Sequence, residues 1–121
     1  MDFEEIAEFA LGDSDVPESA MEFAATLLID TLGVAAGAAQ MQAGVIARDY
    51  AARFMAAGAA GDASTLLFDG RTVSIVGASF AAATQIDNLD AHDGYNPTKG
   101  HIGCAVVPAL CAFAETLPGL R

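Results

Sequence analysis

The sequence predicts an all-α fold, with one short extended or hairpin segment allowed near residues 64–76. Hydrophobic residues fill 54% of the 121 positions, and much of the excess is alanine and glycine, which suits closely packed helices. Apolar side chains recur at helical spacing, as in Phe3, Ile6, Ala7 and Ala10, and again in Val45, Ile46, Tyr50, Phe54 and Met55. One run, Ser64 to Phe68, reads as extended, and the turn dipeptide Asp69-Gly70 follows it. The length suits a single helical domain over 1–121, or the N-terminal fragment of a larger helical domain whose other segments cover its apolar faces.

Phe3 to Leu11 is expected to be a short amphipathic helix, broken by Gly12-Asp13-Ser14. Asp15 is the expected N-cap of the next helix, with Pro17 in the first turn and Glu18 three residues on, a capping-box pattern. That helix is expected to run from Val16 to about Ala39. Its apolar face is so broad that near-complete burial is expected. Gly33 and Gly37 leave a smooth patch where another helix can approach. A third helix is expected near Ala43 to Ala57, then a loop from Gly58 to Asp62. After Asp69-Gly70, residues Thr72 to Val76 suit a returning strand. Thr72 or Ser74 can equally cap a helix through Ile86, and a helix from about Val73 is the favoured expectation. The last helix is expected from Gly103 to about Leu117, with Pro108 tolerated near its first turns.

Sixteen acids face five bases, giving a formal charge of −11. Nucleic acid is therefore an unsuitable partner, because phosphate contact needs clustered Lys and Arg, and an anionic membrane surface is disfavoured for the same reason. The apolar stretch from Ala20 to Met41 is interrupted by Glu22 and Asp30, so a buried helix is expected rather than a membrane span. The acidic N-terminus lacks the basic flank of a signal peptide. Cys104 and Cys111 lie two helical turns apart, about 10 Å and beyond bridging distance. A reduced, cytoplasmic protein is the expectation.

The only lysine and both histidines fall within ten residues, in the stretch Asp87 to His101. Histidine is the side chain that changes charge between pH 5 and 8, so proton handling is expected here. Asp87, Asp90 and Asp93 are spaced to share a helix face if the helix runs that far. Gly94, Asn96, Pro97 and Gly100 let the following loop fold His101 back toward them, just before the last helix, whose free N–H groups favour an anion. Three readings follow. In the first, Lys99 and the helix start bind an anionic carboxylate substrate, His101 moves a proton and an Asp sets its tautomer. In the second, Asp90, His92, Asp93 and His101 ligate a metal, although the spacing matches no standard motif. In the third, the polar loop merely stitches two helices together. Tyr95 can donate a proton or simply pack, and Cys104 suits a small buried residue.

Three segments resemble the MmgE/PrpD family, which includes 2-methylcitrate dehydratase, cis-aconitate decarboxylase and iminodisuccinate epimerase. Leu28 to Gly37 is similar to the family's hydrophobic-Asp-Thr-Leu-Gly helix. Ser79-Phe80-Ala81-Ala82-Ala83 resembles its alanine-rich helix leading to the active site. Asp90-Ala91-His92-Asp93, followed by His101-Ile102-Gly103-Cys104 and Pro108-Ala109-Leu110, resembles its paired Asp-hydrophobic-Asp-Asp and His-Pro-Gly…Pro-Ala motifs. The resemblance implies the N-terminal part of a large helical domain and an enzyme that works without metal or organic cofactor. Its chemistry would be proton transfer next to a carboxylate of a small polycarboxylate, leading to dehydration, decarboxylation or epimerisation. By position, Asp90 and His101 would be catalytic, and His92, Asp93 and Lys99 would bind substrate. Further histidine and lysine residues of the family pattern lie beyond this sequence, so the chain is expected to be inactive without a C-terminal part. The pattern departs from the family at His92, Gly94 and Ile102. A rival expectation is a non-catalytic helical module that self-associates as a homo-oligomer or pairs with a second, C-terminal chain.

Overall fold

A computed structural model describes residues 2–91, 93–117 and 119. Five helices and one hairpin follow in the order α1 (Phe3–Leu11), α2 (Glu18–Ala38), α3 (Gln42–Phe54), β1 (Ala63–Thr65), β2 (Thr72–Ser74), α4 (Ile75–Leu89) and α5 (Gly103–Ala114), with a 3-10 turn at Ala60–Asp62 before β1. The mainly helical class expected from the sequence, with one short extended segment, is what forms.

The centre of the fold is α4, which packs against α3 on one side and α5 on the other, with α2 across its end. Its sequence explains the position. Gly77, Ala78, Ala81 and Ala82 present a smooth buried stripe that lets neighbouring helices come close, and a Cβ at Gly77 would meet Met55 at 2.9 Å. One core gathers Ala47 and Ala51 of α3, Leu66 and Val73 of the hairpin, Ala78 and Ala81 of α4, and Ala112 of α5. A second gathers Val34 and Ala35 of α2, Ile86 of α4 and Cys104 of α5. That second core joins the end of α4 to the start of α5, and so fixes both ends of the loop between them.

The two readings of residues 72–76 both hold in part. Thr72–Ser74 is a strand, antiparallel to β1 with Ser64 opposite Val73, and α4 starts only at Ile75. Ser74 ends the strand and caps the helix, its Oγ accepting from the Gly77 N–H at 3.0 Å. The favoured helix start at Val73 was therefore two residues early, because Val73 is wholly buried as a strand residue.

Several boundaries differ from expectation for local reasons. Pro17, not Asp15, is the N-cap of α2, and no side chain caps it. With the helix beginning at Glu18, Asp15 stands too far upstream. A capping box does form, at α1: the Glu5 N–H donates to Asp2 Oδ1 and the Asp2 N–H to Glu5 Oε2, both at 2.9 Å. Helix α3 stops at Phe54 rather than Ala57, because the Met55 carbonyl turns to accept the Ser74 N–H at 2.8 Å. Helix α5 ends at Ala114 rather than Leu117, and Glu115 beyond it accepts from Ser64 Oγ at 2.9 Å and from the Thr65 N–H at 2.7 Å. Pro108 lies inside α5, at its sixth residue, and is buried.

The expected burial of α2 is not met within this chain. Every residue from Asp2 to Asp30 is exposed except the half-buried Ala7, and burial on α2 begins only at Thr31. By length and composition α2 could cross a membrane. Gly37 does receive a neighbour, since a Cβ there would touch Leu89 of α4 at 3.5 Å, whereas nothing lies near Gly33.

Candidate functional site

Helix α4 ends one residue before Asp90, which takes the left-handed cap position (φ 53°, ψ 34°) and donates its N–H to the Asp87 carbonyl at 3.0 Å. Aspartate tolerates that conformation better than most residues. The consequence corrects the sequence reading: Asp87, Asp90 and Asp93 do not line one helix face, because the chain turns at Asp90.

The loop then closes on itself. The Tyr95 N–H donates to the Gly100 carbonyl at 3.0 Å, and between them Lys99 also adopts a left-handed backbone (φ 52°). The Lys99 ammonium donates to Asn96 Oδ1, which holds it within the loop. His101 Nδ1 lies 2.7 Å from the Asp93 carbonyl oxygen. A carbonyl only accepts, so Nδ1 carries a proton, and in the neutral tautomer the lone pair then belongs to Nε2. Gly94 permits this approach, since a Cβ there would stand 3.2 Å from His101 Cε1.

The Asp93 carboxylate does something else. Its Oδ1 and Oδ2 accept the Gly103 N–H at 3.0 and 3.3 Å, so it sits at the start of α5 where free N–H groups and the helix dipole favour an anion. The Gly103 N–H at that helix start is thus met by the protein's own side chain. The main chain of Asp93 holds a proton on His101 Nδ1.

His101 and Lys99 share the wall of an open depression of about 320 Å³, together with Gly94, Tyr95, Asn96 and Gly100. Asp90 is exposed and does not line it. His92 lies outside the described residues. Tyr95 is two-thirds exposed, so it lines the depression instead of packing inward. Among the described residues no three of His, Cys, Asp and Glu are grouped to hold a metal. Cys104 is buried, and its Sγ donates to the His101 carbonyl at 3.2 Å. Burial first, and then the carboxylates of Asp87 and Asp93, push its thiol pKa up, which keeps it protonated and un-nucleophilic.

A larger cavity, about 480 Å³, lies between the hairpin, α4 and α5. Its walls are apolar, and the acids at its edge are engaged: Glu115 by Ser64 and Thr65, Asp69 by Arg71 and Arg48. Neither histidine nor lysine lines it, so the smaller depression is the better candidate despite its size. Sequence reasoning missed Asn96, the partner of Lys99. It also missed the buried Arg48, whose guanidinium donates to Gln85 Oε1 and, at 2.6 Å, to the Ala39 carbonyl. A lone glutamine on the buried stripe of α4 was the available signal for that network.

The family model for the MmgE/PrpD N-terminal domain matches residues 4–119. No curated protein and no solved structure matches the chain. A match over nearly the full length, on a chain whose helices and loop follow the order of the three resembling segments, places this protein in the MmgE/PrpD family as a bearer of its N-terminal domain.

Proposed function

We propose that this chain supplies one wall of the active site of a lyase-type or isomerase-type enzyme that moves a proton next to a carboxylate of a small polycarboxylate. The observation that carries the reading is the pairing of His101, with its proton held on Nδ1 by the Asp93 carbonyl, and Lys99 on one open depression. Nε2 acts as the base and takes a proton from the carbon beside the carboxylate. The imidazolium that forms keeps its bond to the Asp93 carbonyl. Lys99 offsets the negative charge that develops on the substrate carboxylate. In a dehydration the carbanionic species expels the neighbouring hydroxyl group, which leaves as water with a proton from Asp90; in an epimerisation it is reprotonated on the other face; in a decarboxylation His101 starts protonated, the bond to the carboxylate carbon breaks to release carbon dioxide, and the carbanion takes its proton from the imidazolium.

Asp90 is assigned, by its place in the family pattern, as the second acid–base group, and His92 as a substrate contact. Asp93 acts by positioning, through its main chain on His101 and its side chain on Gly103. Support also comes from the backbone: Asp90 and Lys99 are two of the three non-glycine residues in the left-handed region among the described residues. Such conformations concentrate where a structure holds functional groups in place.

The test is turnover of 2-methylcitrate, cis-aconitate and iminodisuccinate, followed by NMR in deuterated water, using the enzyme that carries this chain. His101→Ala is expected to lower turnover by at least about 10²–10⁴-fold while the helical circular dichroism stays unchanged. Wild-type-like turnover in that variant removes His101 from the mechanism.

A further inference from the structure

Acids outnumber Lys and Arg sixteen to five, so carboxylates are plentiful partners for any cation in this chain. Arg48 approaches Asp69, and Arg71 pairs with both Asp69 and Asp49. Lys99, the only lysine, instead donates its ammonium to the neutral amide oxygen of Asn96. The local sequence builds that contact. Asn96-Pro97-Thr98-Lys99 is a β-turn closed by the Lys99 N–H on the Asn96 carbonyl at 3.3 Å, with asparagine and proline at the first two positions, where each is favoured. The Thr98 N–H and hydroxyl both donate to the Tyr95 carbonyl, at 3.1 and 3.2 Å, which braces the turn. Lys99 is therefore tied to Asn96 twice, by its backbone and by its ammonium. Both residues are exposed, so water competes for the side-chain contact and it holds the fold only weakly. We propose that Asn96 is a positioning residue: it holds the Lys99 ammonium at the depression shared with His101 and, being neutral, leaves that positive charge whole for a carboxylate of the substrate. The inference rests on the reading of Lys99 as a substrate contact.

The chemistry of the partner decides the role. An ammonium has three donors, and the bond to Asn96 uses one, which leaves two for the oxygens of a carboxylate. A carboxylate in place of the amide would neutralise the ammonium and repel an incoming anion. A lysine with no acceptor would have to give up the freedom of its long side chain when it meets substrate, and fixing it beforehand lowers that cost of binding. His101 stands two residues on, with its Nδ1 proton on the Asp93 carbonyl. The ammonium and the imidazole are thus both held by neutral acceptors of the same loop.

The experiment titrates tricarballylate, which has three carboxylates but no hydroxyl to lose, into the enzyme that carries this chain and reads Kd by calorimetry, so that binding is separated from turnover. Lys99→Met is expected to weaken binding about tenfold or more. Asn96→Ala, which removes the acceptor without adding charge, is expected to weaken it about threefold or more. In the Lys99→Met background the same Asn96→Ala change is expected to alter Kd by less than about 1.5-fold, because the two residues act as one. Asn96→Asp keeps an acceptor beside the ammonium, so thermal unfolding should be unchanged, yet binding should weaken about tenfold. A purely structural Asn96 gives the opposite pattern: Asn96→Ala weakens binding equally with and without Lys99, and Asn96→Asp binds like the wild type. Either result overturns the inference. A loss in Lys99→Met with both Asn96 variants unaffected overturns it alone. Lys99→Met that binds as the wild type does, or a wild type that does not bind tricarballylate, overturns it together with the reading of Lys99 as a substrate contact.

Discussion

Replacing Arg48 by Met tests what holds α2, α3, α4 and the hairpin turn in register. Arg48 is 6% exposed, and its guanidinium reaches three elements. One nitrogen donates to Gln85 Oε1 on α4, another to the Ala39 carbonyl at the end of α2, and Nε lies 3.3 Å from Asp69 Oδ2 without hydrogen-bond geometry. Gln85 in turn donates to the Ala35 carbonyl at 2.6 Å. Methionine keeps most of the aliphatic stem and leaves two buried acceptors unmet, at about 1–3 kcal/mol each. Losing one member of a buried ion pair costs about 3–5 kcal/mol, but Asp69 keeps Arg71, so its share is small. The expected loss is about 4 kcal/mol, a large part of the roughly 5–15 kcal/mol that holds a domain together. Urea unfolding followed by circular dichroism at pH 7 measures it, with Arg48→Lys expected to lose about half as much because one acceptor stays served. A change below about 1 kcal/mol with an unaltered m-value would refute the view that this network anchors the helices.

Asp69 should make stability pH-dependent at the acid end. Its carboxyl is lowered from 3.8 to about 2, chiefly by the hydrogen bond from Arg71, so its contribution is complete above pH 4 and is lost as pH falls through 2. Asp69→Asn should flatten that part of a stability–pH curve; an unchanged curve would assign the acid loss elsewhere. Leu66→Ala, at a side chain 1% exposed between hairpin and helices, should cost about 3 kcal/mol in urea unfolding, and a loss under 1 kcal/mol would mean the site collapses freely. Gly103→Ala would place a Cβ on the Asp93 carboxylate, so it should free that carboxylate and shift the His101 ring resonances in NMR; an unshifted His101 would break the link between helix start and imidazole.

How much of this was legible in the sequence depends on the range of the forces involved. Helix α1 matched at both ends because a local pattern, apolar spacing closed by Gly12, determines it. The hairpin was open to two readings because Ser74 serves both strand and helix, and only the burial of Val73 against the helices decides between them. The end of α5 was overrun because Glu115 is drawn to β1, a contact fifty residues distant in sequence. At the site, the concentration of Lys99 and His101 in one short stretch was plain, and the loop does bring them to one depression. The part that failed was the grouping of three aspartates. It assumed a helix running to Asp93, whereas the carboxylate of Asp93 is better used on the free N–H of Gly103 than on a helix C-terminus of its own sign.

That use of Asp93 explains why the loop can be both exposed and fixed. Its outer residues, Tyr95 to Lys99, are exposed, yet its two ends are held by the core of Val34, Ala35, Ile86 and Cys104. Asp93 then ties the loop to α5 with its side chain and to His101 with its carbonyl, so the imidazole inherits the rigidity of the helix pair. A side chain tied that way does not need burial to keep its orientation. The N-terminal segment contrasts with it, since from Asp2 to Asp30 only Ala7 is even half-buried and no core residue of this chain fixes it.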